Sequence, residues 1–302
     1  MAAITPALIT ALHTGFRREF QAGQAKAAPI WDRVATAVPS TDAKNTYGWL
    51  GQFPQMREWI GDRVVKDMKA HAYEIENKAY EATVGIDRDA IEDDRFGTYG
   101  PMFQEMGYAA ATQIDLALWP MIKAGDSALA YDGQFFFDTD HPVAANHDGT
   151  GAVTSVSNLT AGVGPAWFVL ATDRPLKPFI VQQRRAADLI TKFNPRDSDQ
   201  VFMSKRFLWG VDMRFATGFG LWQFAHMSKA ALTSDSLFTV IEAMMSVKAD
   251  GGRPLGVTPN LLVVPPALEA EATKTVKVMM TDGGASNPTY QRLDVLTTPW
   301  LA

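Results

Sequence analysis

The chain has 302 residues, 47% hydrophobic and 20% charged, with a formal net charge of −5 and no cysteine. That length allows one large domain or two medium ones around a sizeable core, and the absence of cysteine excludes disulfides, thiolate nucleophiles, cysteine zinc sites and iron–sulfur clusters. The acidic balance argues against a dedicated nucleic-acid binder, which shows a basic face. No apolar run approaches a membrane span and Met1–Pro6 lacks the features of a signal peptide, so the sequence reads as a soluble protein made in the cytosol.

In chain order, Ile4, Leu8, Leu12, Phe16 and Phe20 recur at steps of four and predict an N-terminal helix. Gly23–Pro29 breaks the pattern, so residues 1–46 are expected to form an arm that packs on neighbouring structure. Tyr47 to Asp94 reads as β-rich, with alternation at Tyr73 and Ile75 and again at Tyr80, Ala82, Val84 and Ile86. Its first half carries Trp49, Phe53, Met56, Trp59, Ile60 and Val64 among many charges. That is too much apolar surface for water, so it needs either another subunit or a fold back onto its own domain.

Thr98 to Ala124 is the clearest helix. Thr98 is placed to cap it, Pro101 suits its first turn, and Phe103, Met106, Ala110, Ile114, Ala117 and Met121 share a face. Gly107 and Ala109 to Ala111 allow close approach to a sheet, and Pro120 should kink the end.

Tyr131–Asp132–Gly133 reads as a turn and Phe135–Phe137 as a short aromatic strand. Asp138, Asp140 and His141, with His147 and Asp148 just beyond, have ligand chemistry that raises a metal site and with it a metal-dependent hydrolase. The competing reading is a structural corner in which the aspartates bind their own backbone, and the sequence favours it because no second ligand cluster follows. Nor is there a Gly-x-Ser-x-Gly elbow, a phosphate-binding Gly-x4-Gly-Lys-Ser/Thr loop or a His-Glu-x-x-His pair, and the five histidines are scattered.

Thr150 to Gly164 is expected to be a loop. Phe179–Val181, Val201–Met203, Phe207–Trp209 and Phe215–Phe224 read as strands, with Gly218 and Gly220 marking a bulge or tight packing point. Ser234 or Asp235 caps a helix to about Lys248 that buries Leu237, Ile241, Met244 and Val247. Leu261–Val264 is a buried strand, Pro265–Pro266 opens a helix that Gly283–Gly284 stops, and Arg292–Leu296 is the last strand. The class is α+β with two subdomains.

Several strings carry a family resemblance: Trp49-Leu50-Gly51, Met56 to Gly61, Ile91 to Asp94, Phe136 to Pro142, Arg174 to Pro178, Gly210 to Asp212 and Leu262 to Pro266. They run in order over most of the chain and resemble the major head (capsid) subunit of Mu-like tailed phages and prophages, the gpT family. The resemblance implies a Hong Kong 97-type capsid fold: N-terminal arm (1–46), extended β loop with flanking strands (47–97), long spine helix and peripheral subdomain with an insertion (98–235), and a mainly axial subdomain with the C-terminal strand (236–302). It implies self-assembly into an icosahedral shell enclosing double-stranded DNA, with no enzymatic activity and no cofactor. The expected partners are further copies in hexamers and pentamers, a separate scaffolding protein and a portal, with a decoration protein left open. DNA is met by non-specific contact only and no membrane is involved. The location implied is the virion, assembled in the host cytoplasm. Trp49, Phe53, Met56, Trp59, Ile60 and Val64 are the expected inter-subunit contacts. The alternatives are the metal-dependent hydrolase and another phage structural part; eight Trp and seventeen Phe oppose a scaffold.

Overall fold

The computed structural model describes residues 6–48, 50, 73–93, 96–146, 149–192, 199–281 and 283–302. In chain order come α1 (Pro6–Lys26), β1 (Ala35–Pro39), β2 (Lys44–Thr46), β3 (Glu74–Glu76), β4 (Lys78–Asp87), α2 (Arg88–Glu92) and α3 (Gly100–Lys123). Next are β5 (His141–Ala144), β6 (Val153–Val156), β7 (Leu159–Thr160), β8 (Trp167–Leu170), β9 (Phe179–Lys192), α4 (Asp199–Ser204) and β10 (Arg206–Phe219). β11 (Ala225–Ser228), α5 (Ser234–Met245), β12 (Leu261–Val264), α6 (Glu269–Ala272) and β13 (Asp294–Thr297) complete the order; α6 runs on into a π-turn at Thr273–Lys277.

Two sheets organise the molecule. One has the order β1-β9-β10-β4, antiparallel except for the parallel β1–β9 pair. Along β10, Phe207, Trp209, Val211, Met213 and Phe215 are buried while the residues between them are not, the alternation of a strand with one covered face. The other sheet has the order β13-β12-β8-β11-β7, and every residue of β8, β11 and β12 is buried. The expected border at residue 235 runs through this sheet, which takes strands from both sides of it.

α1 continues through Gly23 to Lys26 and packs on α3 of its own chain, burying Ile9, Phe16 and Phe20. Gly23 is a contact point and not a helix breaker. A Cβ there would lie 1.9 Å from the carbonyl oxygen of Gln104, and one on Gly107 of α3 would lie 2.0 Å from that of Phe20. The close approach expected at Gly107 is thus made to a helix, not to a sheet. Phe16 stacks on Phe103 at 4.2 Å and meets Trp209 edge-on at 5.3 Å, which closes a small core at the far end of the four-stranded sheet.

α3 buries Phe103 and Ile114 as its pattern predicts, and adds Leu118, Trp119 and Ile122, which turn its C-terminal half into the main core. Pro101 sits in the first turn, but the N-cap is Tyr99 and its side chain makes no capping bond. Asp115 is buried on this helix and accepts from the Ile30 amide at 3.1 Å and the Trp119 indole at 3.0 Å, tying the chain after α1 to the helix. Burial pushes its carboxyl up, opposed by those donors.

Five more expectations change. Val201–Met203 is part of α4, not a strand; a short apolar run fits either period. Thr150–Gly164 contains β6 and β7. Phe135–Phe137 is a turn with one isolated bridge, Leu129 to Phe135, and it drives Phe136 and Phe137 fully into the core. Phe136 stacks on Phe219 at 4.5 Å there. α5 is capped by Thr233, one residue before the expected Ser234, through a reciprocal box with Ser236. The helix opened by the prolines ends at Lys277, ahead of Gly283–Gly284. Gly218 is the tight packing point expected: a Cβ would meet the Ile75 side chain at 2.2 Å.

Candidate functional site

The segment singled out by its ligand chemistry folds into a corner between the two sheets. Asp138 accepts from the Phe135 amide at 3.2 Å with one carboxylate oxygen and from the Thr139 amide at 2.7 Å with the other. These are the backbone bonds that the corner reading requires. His141 is fully buried, its Nδ1 2.7 Å from Asp132 Oδ2 and its Nε2 3.1 Å from Asn158 Oδ1, with the ring stacked 4.0 Å over Trp222.

The orientation of Asn158 fixes the rest. Its amide nitrogen faces the carbonyls of Phe136, Trp222 and Ala225 at 2.8–3.4 Å, so its oxygen is the acceptor and takes the Asp138 amide at 2.8 Å as well as facing His141. Both ring nitrogens of His141 therefore look at acceptors, and neither points a lone pair at an open position. Asp140 is exposed on the outside of the corner; His147 and Asp148 lie outside the described residues. Among the described residues no group of three or more His, Asp or Glu side chains is arranged to hold a metal ion. What the corner does is mechanical. One buried asparagine and one stacked histidine join the turn after α3, the β5–β6 hairpin and the passage from β10 to β11, which crosses from one sheet to the other.

Asn158 and Trp222 are residues this corner depends on that sequence reasoning did not weigh, and Asp132, read only as part of a turn, is the partner of His141. Nearby, burial pushes the Tyr131 phenol up while its oxygen accepts from Gln223 at 2.8 Å. His226 on β11 is buried against Thr160 at 2.8 Å, and desolvation pushes its ring down to about 4.

The six proposed contact residues, Trp49, Phe53, Met56, Trp59, Ile60 and Val64, lie outside the described residues. The root from which that stretch departs is described. The Tyr47 amide donates to the Tyr73 carbonyl at 2.8 Å, so the chain leaves and returns at adjacent points. Each end is anchored in the four-stranded sheet: the Tyr47 hydroxyl bonds buried Gln182 at 2.8 Å, and the Tyr73 hydroxyl accepts from the Phe219 amide at 2.9 Å. Gln182 also donates to the Ile75 carbonyl at 3.1 Å, so one buried amide holds both sides of the root. β2 and β3 add Lys44 against Glu74, and just outside them Asn77 donates to the Ser40 hydroxyl.

Known proteins give this arrangement its context. The family model described as the Mu-like prophage major head subunit gpT matches residues 9–301. The major capsid protein of Escherichia phage Mu is 41% identical over 304 residues, covering 99% of each chain. Among solved structures, a chain of the bacteriophage JBD30 procapsid agrees with a TM-score of 0.88 at 51% identity, over 98% of this chain and 100% of that one. A chain of the JBD30 capsid decorated with minor capsid protein trimers agrees at 0.76 and 40%, over the full length of both. The α+β fold is thus of the Hong Kong 97 type. The chain belongs to the Mu-like prophage major head subunit gpT family.

Proposed function

We propose that this chain is the major capsid protein of a Mu-like tailed phage or prophage, and that copies of it form the icosahedral shell around double-stranded DNA. The observation that carries this is the full-length agreement with a procapsid subunit. In this reading the four-stranded sheet with α1 and α3 is the peripheral subdomain, the five-stranded sheet with α5 and α6 is the axial one, and the pinned root at Tyr47 and Tyr73 launches the extended loop. One chain type serves hexamers and pentamers, a separate scaffolding protein and a portal act during head assembly in the host cytoplasm, and the product stays in the virion.

The decorated JBD30 capsid supports a decoration protein on this shell as well. DNA contact is non-specific. The net charge of −5 fits a wall that does not hold the packaged polymer by counterion release and leaves it able to slide. The chain acts by assembly and not by catalysis: Asp138 and His141 are spent on the corner. Electron microscopy of the purified chain, with and without its scaffold, tests the reading. Rings, tubes or shells are expected; a small discrete oligomer holding one stoichiometric metal ion would overturn it.

A further inference from the structure

Asp132 is a carboxylate taken out of water in an acidic part of the chain. Its side chain is 9% exposed, and no lysine or arginine occurs between Lys123 and Arg174, a stretch that also carries Asp126, Asp138, Asp140, Asp148 and Asp173. The passage that closes the corner from the other side, Phe215 to Ser228, has none either. A buried carboxylate needs a paired charge or a proton of its own. Among the described residues the basic group that meets it is His141, fully buried, with Nδ1 2.7 Å from Asp132 Oδ2.

The hydrogens at that ring can be counted. Asn158 is fixed with its amide nitrogen on three carbonyls, so both ring nitrogens face oxygens that only accept. A neutral imidazole has one N–H and one lone pair. With its hydrogen on Nε2, the Nδ1 lone pair faces a carboxylate at 2.7 Å; with its hydrogen on Nδ1, the Nε2 lone pair faces the Asn158 oxygen at 3.1 Å. Either tautomer buries acceptor against acceptor, and the doubly protonated ring has a donor for each. A hydrogen on Asp132 would serve the first contact too, but imidazole is ordinarily the stronger base. The ring also lies on Trp222 at 4.0 Å and 8°, where an indole face favours a cation.

The other titratable groups around the corner supply no rival positive charge. Tyr131 is a phenol bonded to Gln223, and burial beside Thr160 keeps His226 neutral. Asp138 holds the Phe135 and Thr139 amides, Asp140 is exposed, and Asp250 takes the Ala144 amide at the end of β5. We propose that His141 is an imidazolium with Asp132 as its counter-ion, so that one proton holds the joint between the two sheets. Its removal in alkali leaves Asp132 buried without a partner and sets a lone pair against Asp132 or Asn158. The turn after α3 is then loosened from the passage between β10 and β11.

Nitrogen NMR of the unassembled full-length chain, carrying isotope-labelled histidine, counts the protons. His141 should read as protonated at both ring nitrogens at about pH 7.5, where an unpaired histidine has lost its extra proton. It is identified as the ring missing from His141→Gln or, should that variant not fold, by nuclear Overhauser contacts with Trp222. Asp132→Asn should return the ring to a single proton. On titration into alkali, the Gln134 and Asp138 amides, bonded to Asp132 and Asn158, should shift together with the ring. A ring nitrogen already bare at the starting pH, a second proton that survives Asp132→Asn, or amides that stay still while the ring titrates would each overturn the proposal. If Asp132→Asn does not fold, the wild-type proton count and the amide titration decide it alone.

Discussion

The two sheets of this protein solve different problems with similar residues. In the five-stranded sheet, β8, β11 and β12 are short and buried along their whole length, so each side chain on either face is packed. In the four-stranded sheet, β9 and β10 each run 14 residues, on the order of 45 Å. Beyond the buried Phe179–Gln182 end, described residues cover only one face over most of their length, and a second, smaller core with α1 closes the far end. The first is built as a compact body and the second as a long plate with an open side. A shell subunit needs both, a body that keeps its shape and an extended surface that neighbours can lie on, and the Asn158–His141–Trp222 corner is where they are joined.

The body and the plate are uncoupled most directly at that joint. Trp222 is 2% exposed and stacked on His141, and Trp222→Ala should cost about 3–5 kcal/mol from lost transfer energy and cavity formation. Ile190, on the open face of the plate, is 55% exposed, and Ile190→Ala should stay within about 0.5 kcal/mol while still being able to alter particle yield. Urea midpoints of the unassembled chain check both; similar losses would mean that the plate is not open on that side.

Acid should act on the body. Burial holds the His226 ring neutral, its folded value near 4 lying below the ordinary 6.5. The unfolded chain therefore takes up the proton first as pH falls. The stability this histidine permits is fully present above about pH 6.5 and is lost on going down towards pH 4, by up to about 3 kcal/mol. His226→Gln should flatten that slope relative to wild type between pH 7 and 4.5, measured by urea unfolding. An unchanged slope would place the acid sensitivity elsewhere.

At the far end of the plate, Gly107→Ala presses a methyl group onto the Phe20 carbonyl and should cost about 2 kcal/mol by forcing α1 away from α3. Gly15, on α1, has nothing within 4 Å, so Gly15→Ala should stabilise by roughly 0.5–1 kcal/mol. Circular dichroism melts of the two variants separate a packed α1 from a loosely attached arm.

The body was more legible in the sequence than the plate. The unbroken Leu261–Val264 run and the stripe of Leu237, Ile241 and Met244 name their environments because burial on both faces or on one helical face leaves a direct pattern. Gly23 misled because a glycine needed for backbone approach looks like one that ends a helix, and only the Gln104 carbonyl on the other side distinguishes them. α4 was misassigned since three residues cannot establish a period. Asn158 went unnoticed for a different reason. An asparagine in a Ser/Thr/Gly-rich stretch ordinarily faces water, and the groups it satisfies come from residues 22 positions before it and 64 and 67 after.

The corner offers the finest test, because two of its residues carry the same ligand chemistry and make different contacts. Asp138 holds the Phe135 and Thr139 amides, so Asp138→Ala should cost about 1 kcal/mol, the scale of a lost capping side chain. Asp138→Asn keeps one acceptor and should recover part of that. Asp140 is exposed, and Asp140→Ala should be neutral within about 0.5 kcal/mol. A metal centre would behave otherwise, since both aspartates would then matter equally and chelator would reproduce their loss in the wild-type chain. Unfolding midpoints of the three variants, each with and without chelator, therefore weigh the two origins of one motif, and equal losses at positions 138 and 140 would return the site to metal chemistry.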